Sequence, residues 1–283
     1  MRFEDDGEGR WLVLQRINSR SIRGLDRQYL RPLCTLLALA TKDQASLLQL
    51  QLQQHEGMPW WPVHSAAQRS SDLPFRQGAL LRSSDLSPRV LSSWLDQVEK
   101  LGPLPAVVAA GLSSPIALEA TVLALTTVAE GLHRRLRPNT FRFSEEAGAA
   151  IRDAAVAAAE QVEADAGEVV KGFLNYVHEV GYGKRLLDLA EMVRPFMPEV
   201  TGRSNRWKAA VYGARNDFAH RARQGWFEDS DYDKYVTVAL SLQWLLRGLL
   251  LSEAGIPINV LALSLDPPIN FDRSGCLGHG DAL

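Results

Sequence analysis

The residue types best suited to chemistry gather in one short stretch, VYGARNDFAHRAR (211–223). It offers a guanidinium (Arg215), a carboxamide (Asn216) and an imidazole (His220). Written as a helix, Asn216 and His220 stand one turn apart and can meet. Arg215 has the reach to bend toward the same patch. A histidine near neutral pH moves protons, and a planar guanidinium holds two phosphate oxygens at once. Residues 201–225 add Arg203, Arg206, Lys208, Arg221 and Arg223 against the single acid Asp217. A second basic cluster, Arg134, Arg135, Arg137 and Arg142, follows an apolar helical stretch. Two such patches make a local phosphate-binding surface without a basic protein.

The elements that must position these residues read as helices. In 204–222, Trp207, Val211, Ala214 and Phe218 recur at steps of four, three and four, which predicts a helix packing that stripe inward. Tyr212, Asn216, His220 and Arg223 fall opposite, with Arg215 on the flank. Further helices are expected over 87–102 (Ser87 cap, Pro88, Gly102 stop), 113–136, 144–181 as one or two, 184–198 and 230–255 as the last. The apolar residues of 113–136 lie nearly all round, as in a central helix. About six helices with short connections make an antiparallel bundle. Ahead of it, 11–17 and 45–54 read as strands, 29–41 as a helix and 55–74 as an exposed loop. The fold class is thus mostly α, a helical bundle preceded by a small α+β region. The expected divisions are 1–85, 86–265 with a core at about 110–255, and a loose tail at 266–283.

The whole chain narrows the choice of function. It has 283 residues and a net charge of -2, so no global field drives it onto nucleic acid or membrane. The most apolar stretch, 236–254, carries Gln243, Arg247 and Glu253, so no membrane span is expected. The acidic start is not a secretory signal, and a cytoplasmic protein is expected. Two cysteines, Cys34 and Cys276, make neither a disulfide scaffold nor a thiolate zinc cage. His55, His64, His178 and His279 have no partner at metal-ligand spacing, and EDSDYD (228–233) lacks the glycine and closing glutamate of a calcium loop. GYGKRL (181–186) lacks the third glycine of a dinucleotide fingerprint. No metal and no cofactor is called for. Trp60 and Trp61, between prolines, fit a loop plugged into the core better than a base-stacking platform.

ARNDFAH resembles the Arg-Asn…His signature of the HEPN superfamily (higher eukaryotes and prokaryotes nucleotide-binding). More narrowly, YLRPLCTLLALAT, WLDQVEKLG, TVAEGLHRRL and ARNDFAH follow one another as in the ApeA-like HEPN proteins of bacterial anti-phage defence. The resemblance implies a HEPN-type bundle that forms a homodimer or higher even oligomer. It also implies a metal-independent endoribonuclease whose composite site cuts RNA, with tRNA as a target by analogy. Under it Arg215, Asn216 and His220 are the catalytic set, and Arg134, Arg135, Arg206, Lys208, Arg221 and Arg223 contact RNA. Glu130, His133, Tyr212 and Asp217 become candidates to line the site. For Glu130 and His133 a purely stabilising role is slightly favoured. The competing reading is a non-catalytic HEPN module that binds RNA or protein and serves as a dimerisation scaffold.

Overall fold

The computed structural model describes residues 1–5, 10–15, 21–41, 50–55, 57–63, 80–113, 117–220 and 229–273. At the N-terminus β1 (Arg2–Asp5) and β2 (Arg10–Val13) form an antiparallel hairpin, Arg2 opposite Val13. Ser21 caps α1 (Ile22–Leu25) by accepting from the Gly24 amide at 3.1 Å. A π-helical turn, Asp26–Leu30, leads into α2 (Arg31–Thr41). A second antiparallel hairpin pairs β3 (Leu50–Leu52) with β4 (Trp61–Val63). The sequence reading placed β4 in an exposed loop, because 55–74 is rich in turn residues. A two-stranded ribbon has an outer edge on which proline is tolerated. Trp60 and Trp61 are exposed rather than plugged into the core.

From here the chain is helical: α3 (Pro88–Leu101), α4 (Leu104–Ser113), α5 (Leu118–Leu136), α6 (Glu145–Glu160), α7 (Ala166–Leu174), α8 (Tyr182–Val193), α9 (Pro198–Thr201), α10 (Ser204–His220), α11 (Asp229–Glu253) and α12 (Ile258–Ser264). Ser87 caps α3, and Gly102 leaves it at φ 58°. Helix α4 was missed in the sequence. It packs against α2, α5 and α11 together, so LPAVVAAGLS has no polar face to give a period. Helix α12 was missed as well.

Helices α5, α8, α10 and α11 contact one another and form the bundle, with α2, α3 and α4 closing one side. Val122, Leu132, Leu189, Trp207, Val211, Leu242 and Leu245 are fully enclosed. Each such side chain contributes about 1.5–3 kcal/mol by leaving water. Polar atoms inside this core are satisfied by specific partners. The Trp207 indole donates to Ser241 Oγ at 2.6 Å, and Ser241 donates to the Val200 carbonyl at 2.7 Å. Among the described residues one helix, α11, is long and apolar enough by length and composition to cross a membrane, and 78% of its apolar window is buried in the bundle.

Two boundaries drawn from the sequence move. Helix α2 lies inside the same core: Leu33, Leu36 and Leu39 are buried with α11. The buried Arg247 of α11 donates to the Leu39 carbonyl at 2.5 Å and to Ala38 at 3.5 Å, closing the last turn of α2. Burial pushes its guanidinium down to about 9. The tail is also docked over its described part. Phe271 is fully buried, its amide donates to Glu199, and the Asp272 carboxylate accepts from the Arg203 amide at 3.1 and 3.2 Å.

Candidate functional site

Helix α10 presents its residues as its spacing dictates. Trp207, Val211 and Ala214 are buried, and Phe218 packs on the core edge against Tyr235 at 4.5 Å. Tyr212 is exposed, and Arg215 and Asn216 are half-buried on the other side. His220 closes the helix in its backbone, and its side chain lies outside the described residues. Arg221 and Arg223 also lie outside them.

Arg215 is held from two directions. Its guanidinium sits 4.3 Å over the Tyr182 ring, and Nη2 meets Glu130 Oε2 at 3.2 Å. Both partners come from facing helices, Tyr182 from the first turn of α8 and Glu130 from α5. The Tyr182 hydroxyl donates to the Thr126 carbonyl at 3.4 Å, which anchors the ring under the cation. Burial raises that hydroxyl well above its ordinary range; Arg215 opposes the rise and Glu130 adds to it. A cation over an aromatic face, out of bulk water, gains about 1–2 kcal/mol.

Glu130 starts a ladder of alternating charge. Arg134 meets Glu130 at 3.4 Å and Glu179 at 2.5 Å. Burial lowers the Arg134 pKa, but Glu179 and Glu130 outweigh it and the net shift is upward. Glu179 also accepts from the buried Arg185 at 2.9 Å. Burial and the neighbouring Arg134 together lower the Arg185 pKa. Arg185 Nη1 lies 3.4 Å from His133 Nδ1, and His133 Nε2 lies 3.1 Å from Asp188. Asp188 also meets Lys184 at 2.5 Å. A guanidinium can only donate to Nδ1, so that nitrogen carries a lone pair and His133 is neutral with its proton on Nε2. Burial lowers the His133 pKa in the same direction; Asp188 opposes, and Arg185 and Arg137 reinforce it.

The ladder adjoins a groove between α8 and α10. One stretch, about 580 Å³, is lined by Gly183, Lys184, Lys208, Tyr212 and Gly213. The next, about 650 Å³, is bounded by Lys184, Glu191, Arg194, Arg203 and Arg206. The α10 wall is therefore basic, through Arg206 and Lys208 with Arg203 just ahead of the helix, while on the α8 wall Lys184 and Arg194 are paired with Asp188 and Glu191; Tyr212 stands at one lip.

The structure brings Arg215, Glu130 and Arg134 into one cluster, with Tyr212 beside it through its 6.0 Å ring contact to Tyr182. Arg206 and Lys208 line the groove. Three residues go elsewhere. Arg135 donates to the Leu101 carbonyl and so closes the end of α3. Asp217 accepts from the Tyr235 hydroxyl of α11 at 2.8 Å. His133 is fully enclosed and reaches Arg215 only through the ladder. Sequence reasoning missed Tyr182, Glu179, Arg185 and Asp188. Their one signal was the aromatic and basic run at 182–185, read only against a nucleotide-binding pattern.

Residues 123–259, from within α5 to the start of α12, match the family model for the Apea-like HEPN domain. No curated protein and no solved structure matches the chain. The matched span holds every member of the ladder, the groove and the Arg-Asn…His helix, and over that span the chain carries an Apea-like HEPN domain.

Proposed function

We propose that this protein is a cytoplasmic, metal-independent endoribonuclease acting in anti-phage defence, its site completed by a second subunit. RNA carries its own nucleophile. A base takes the 2′-hydroxyl proton, the oxygen attacks the adjacent phosphorus, and an acid protonates the departing 5′-oxygen. His220 serves proton transfer, Asn216 orients it or bonds the phosphate, and Arg215 holds the scissile phosphate as charge accumulates. One protomer supplies one imidazole, and a two-fold axis supplies two. The products are a 2′,3′-cyclic phosphate and a 5′-hydroxyl end.

The observation that carries this reading is the setting of Arg215: stacked on Tyr182, a third exposed, beside a groove whose α10 wall is basic. The groove supplies backbone contacts through Lys184, Lys208 and Arg206. The test is cleavage of total cellular RNA, tRNA first, with end-group analysis. Arg215→Ala and His220→Ala are expected to lower kcat/KM at least ~100-fold at unchanged melting temperature. Undiminished cleavage by His220→Ala, or none by the folded wild type, overturns the reading.

A non-catalytic RNA- or protein-binding module is the second reading. One observation favours it: Arg215 already has a carboxylate partner, Glu130, in its own protomer. A scaffold of this kind would keep its RNA affinity and leave cellular RNA intact.

A further inference from the structure

Residue 213 is a glycine inside α10, where glycine weakens a helix relative to alanine. Packing does not call for it: a Cβ built there meets nothing within 4 Å. Across the groove, Gly183 in the first turn of α8 faces the Lys208 stem, and a Cβ there would stand 3.4 Å from Cδ, an ordinary contact. Neither position needs glycine for the two helices to meet. Glycine also serves where a ligand comes close to the backbone, and both of these line the same stretch of groove, about 580 Å³ in volume. Leu187 and Ala209 complete its floor, which is hydrocarbon and bare backbone. The phosphate contacts assigned above leave that floor unused.

The rim has a different chemistry. Tyr212 is 47% exposed and lines the groove, with its ring 6.0 Å from that of Tyr182. Tyr182 in turn carries the Arg215 guanidinium 4.3 Å over its face. Lys208 lies one turn before Tyr212 on α10, and Arg215 lies just under one turn after it. Among the described residues Lys208 has no carboxylate partner, whereas Lys184 on the other wall is paired with Asp188. The helix therefore presents a cation, an aromatic ring and a second cation in that order. A nucleotide within a strand presents the complementary order: phosphate, flat base, phosphate. Counting about 100° per residue, Ala209 and Asn216 both fall within about 60° of Gly213, so the floor runs directly into the carboxamide of the Arg-Asn…His set.

We propose that this stretch of groove is a base subsite: it takes the flat ring of one unpaired nucleotide in an RNA strand, beside Tyr212 and over the Gly213 floor, with that nucleotide's two phosphates at Lys208 and Arg215. The proposal rests on the RNA reading above for the identity of the strand. A simple anion would use the cations and leave the floor empty, and a hydrocarbon chain would use the floor and leave both cations unmatched. A base inside a duplex cannot enter, because its faces are stacked and its edge is engaged. Stacking against an aromatic ring tolerates every base, so the subsite selects an unpaired position and not a sequence.

Fluorescence anisotropy of the full chain with a labelled, fully 2′-O-methylated RNA strand tests this. That strand lacks the attacking hydroxyl, so binding is read without cleavage. Gly213→Leu puts a side chain where the base would lie. The space is open in the protomer and leucine is the better helix former, so the melting temperature is expected to be no lower than that of wild type. Its affinity for the strand is expected to fall on the order of 10-fold, the size of one lost base stack. Tyr212→Ala is expected to lose as much, and Tyr212→Phe, which keeps the ring, to retain affinity. Neither loss is expected with an abasic strand of equal length, which has the phosphates and no rings, or with the annealed duplex. Wild-type affinity in Gly213→Leu, or a loss that the abasic strand shares, overturns the proposal. Displacement of the strand by an equal concentration of adenosine monophosphate also overturns it, by assigning the groove to a free nucleotide. Should both variants lose affinity as expected while wild type cuts no RNA, the nuclease reading falls and the base subsite stands.

Discussion

Two arginines on neighbouring helices show two uses of the same group. Arg247 on α11 is 1% exposed and spends its donors on backbone carbonyls at the end of α2. Arg215 on α10 is a third exposed in its side chain and is held by an aromatic face and one carboxylate. The first is fixed by geometry that water never reaches. The second keeps an open side from which a phosphate can compete for it. The difference lies in the partners. Carbonyls inside a core cannot be replaced, whereas a surface ion pair worth under about 1 kcal/mol readily is.

The widest separation is expected in stability. Arg247→Ala removes two buried hydrogen bonds and leaves a cavity, so about 3 kcal/mol is expected to be lost in urea unfolding. Arg247→Met restores volume and is expected to recover about half. Arg215→Ala is expected to stay within about 0.5 kcal/mol of wild type. Equal losses from the two alanine variants would erase the contrast.

A second expectation concerns pH. The His133 pKa is lowered in the fold from 6.5, so the unfolded chain takes up a proton first as pH falls. Its contribution is complete above about pH 6.5 and declines below it. His133→Gln can still donate to Asp188 and accept from Arg185 without titrating. It is expected to flatten the dependence of urea midpoints between about pH 7 and 5. An unchanged slope would place the titrating group elsewhere. The smallest effect belongs to Glu130, which shares its charge between Arg215 and Arg134. Glu130→Gln is expected to tighten binding of an RNA oligomer about three-fold at fixed salt, by fluorescence anisotropy. Weaker binding would mean that Glu130 positions Arg215 more than it neutralises it.

The helix that carries Arg215 was legible because its burial stripe is regular: Trp207, Val211 and Ala214 face inward as their spacing requires. The cap at Ser87 was equally local. What the sequence hid is what lies between helices. His133 and Asp188 are 55 positions apart, and Tyr182 and Thr126 are 56 apart. No period on one element announces such a meeting. Arg135 and Asp217 were drawn to the site by charge alone, and each found a nearer partner, a helix end and a tyrosine hydroxyl. Helix α4 was invisible for a different reason: packed against α2, α5 and α11, it has one polar residue, Ser113, too few to mark a face.

The clasp between Asp272 and the Arg203 amide has reach beyond its own two residues. It seats the opening turn of the helix whose far end, about 25 Å away, bears the arginine and histidine. Gly202 makes room for it, since any Cβ there would lie 2.6 Å from the aspartate. A protease nick a few residues upstream of Phe271 would therefore loosen that helix at its root and shift its distal end, leaving every side chain around Arg215 chemically intact.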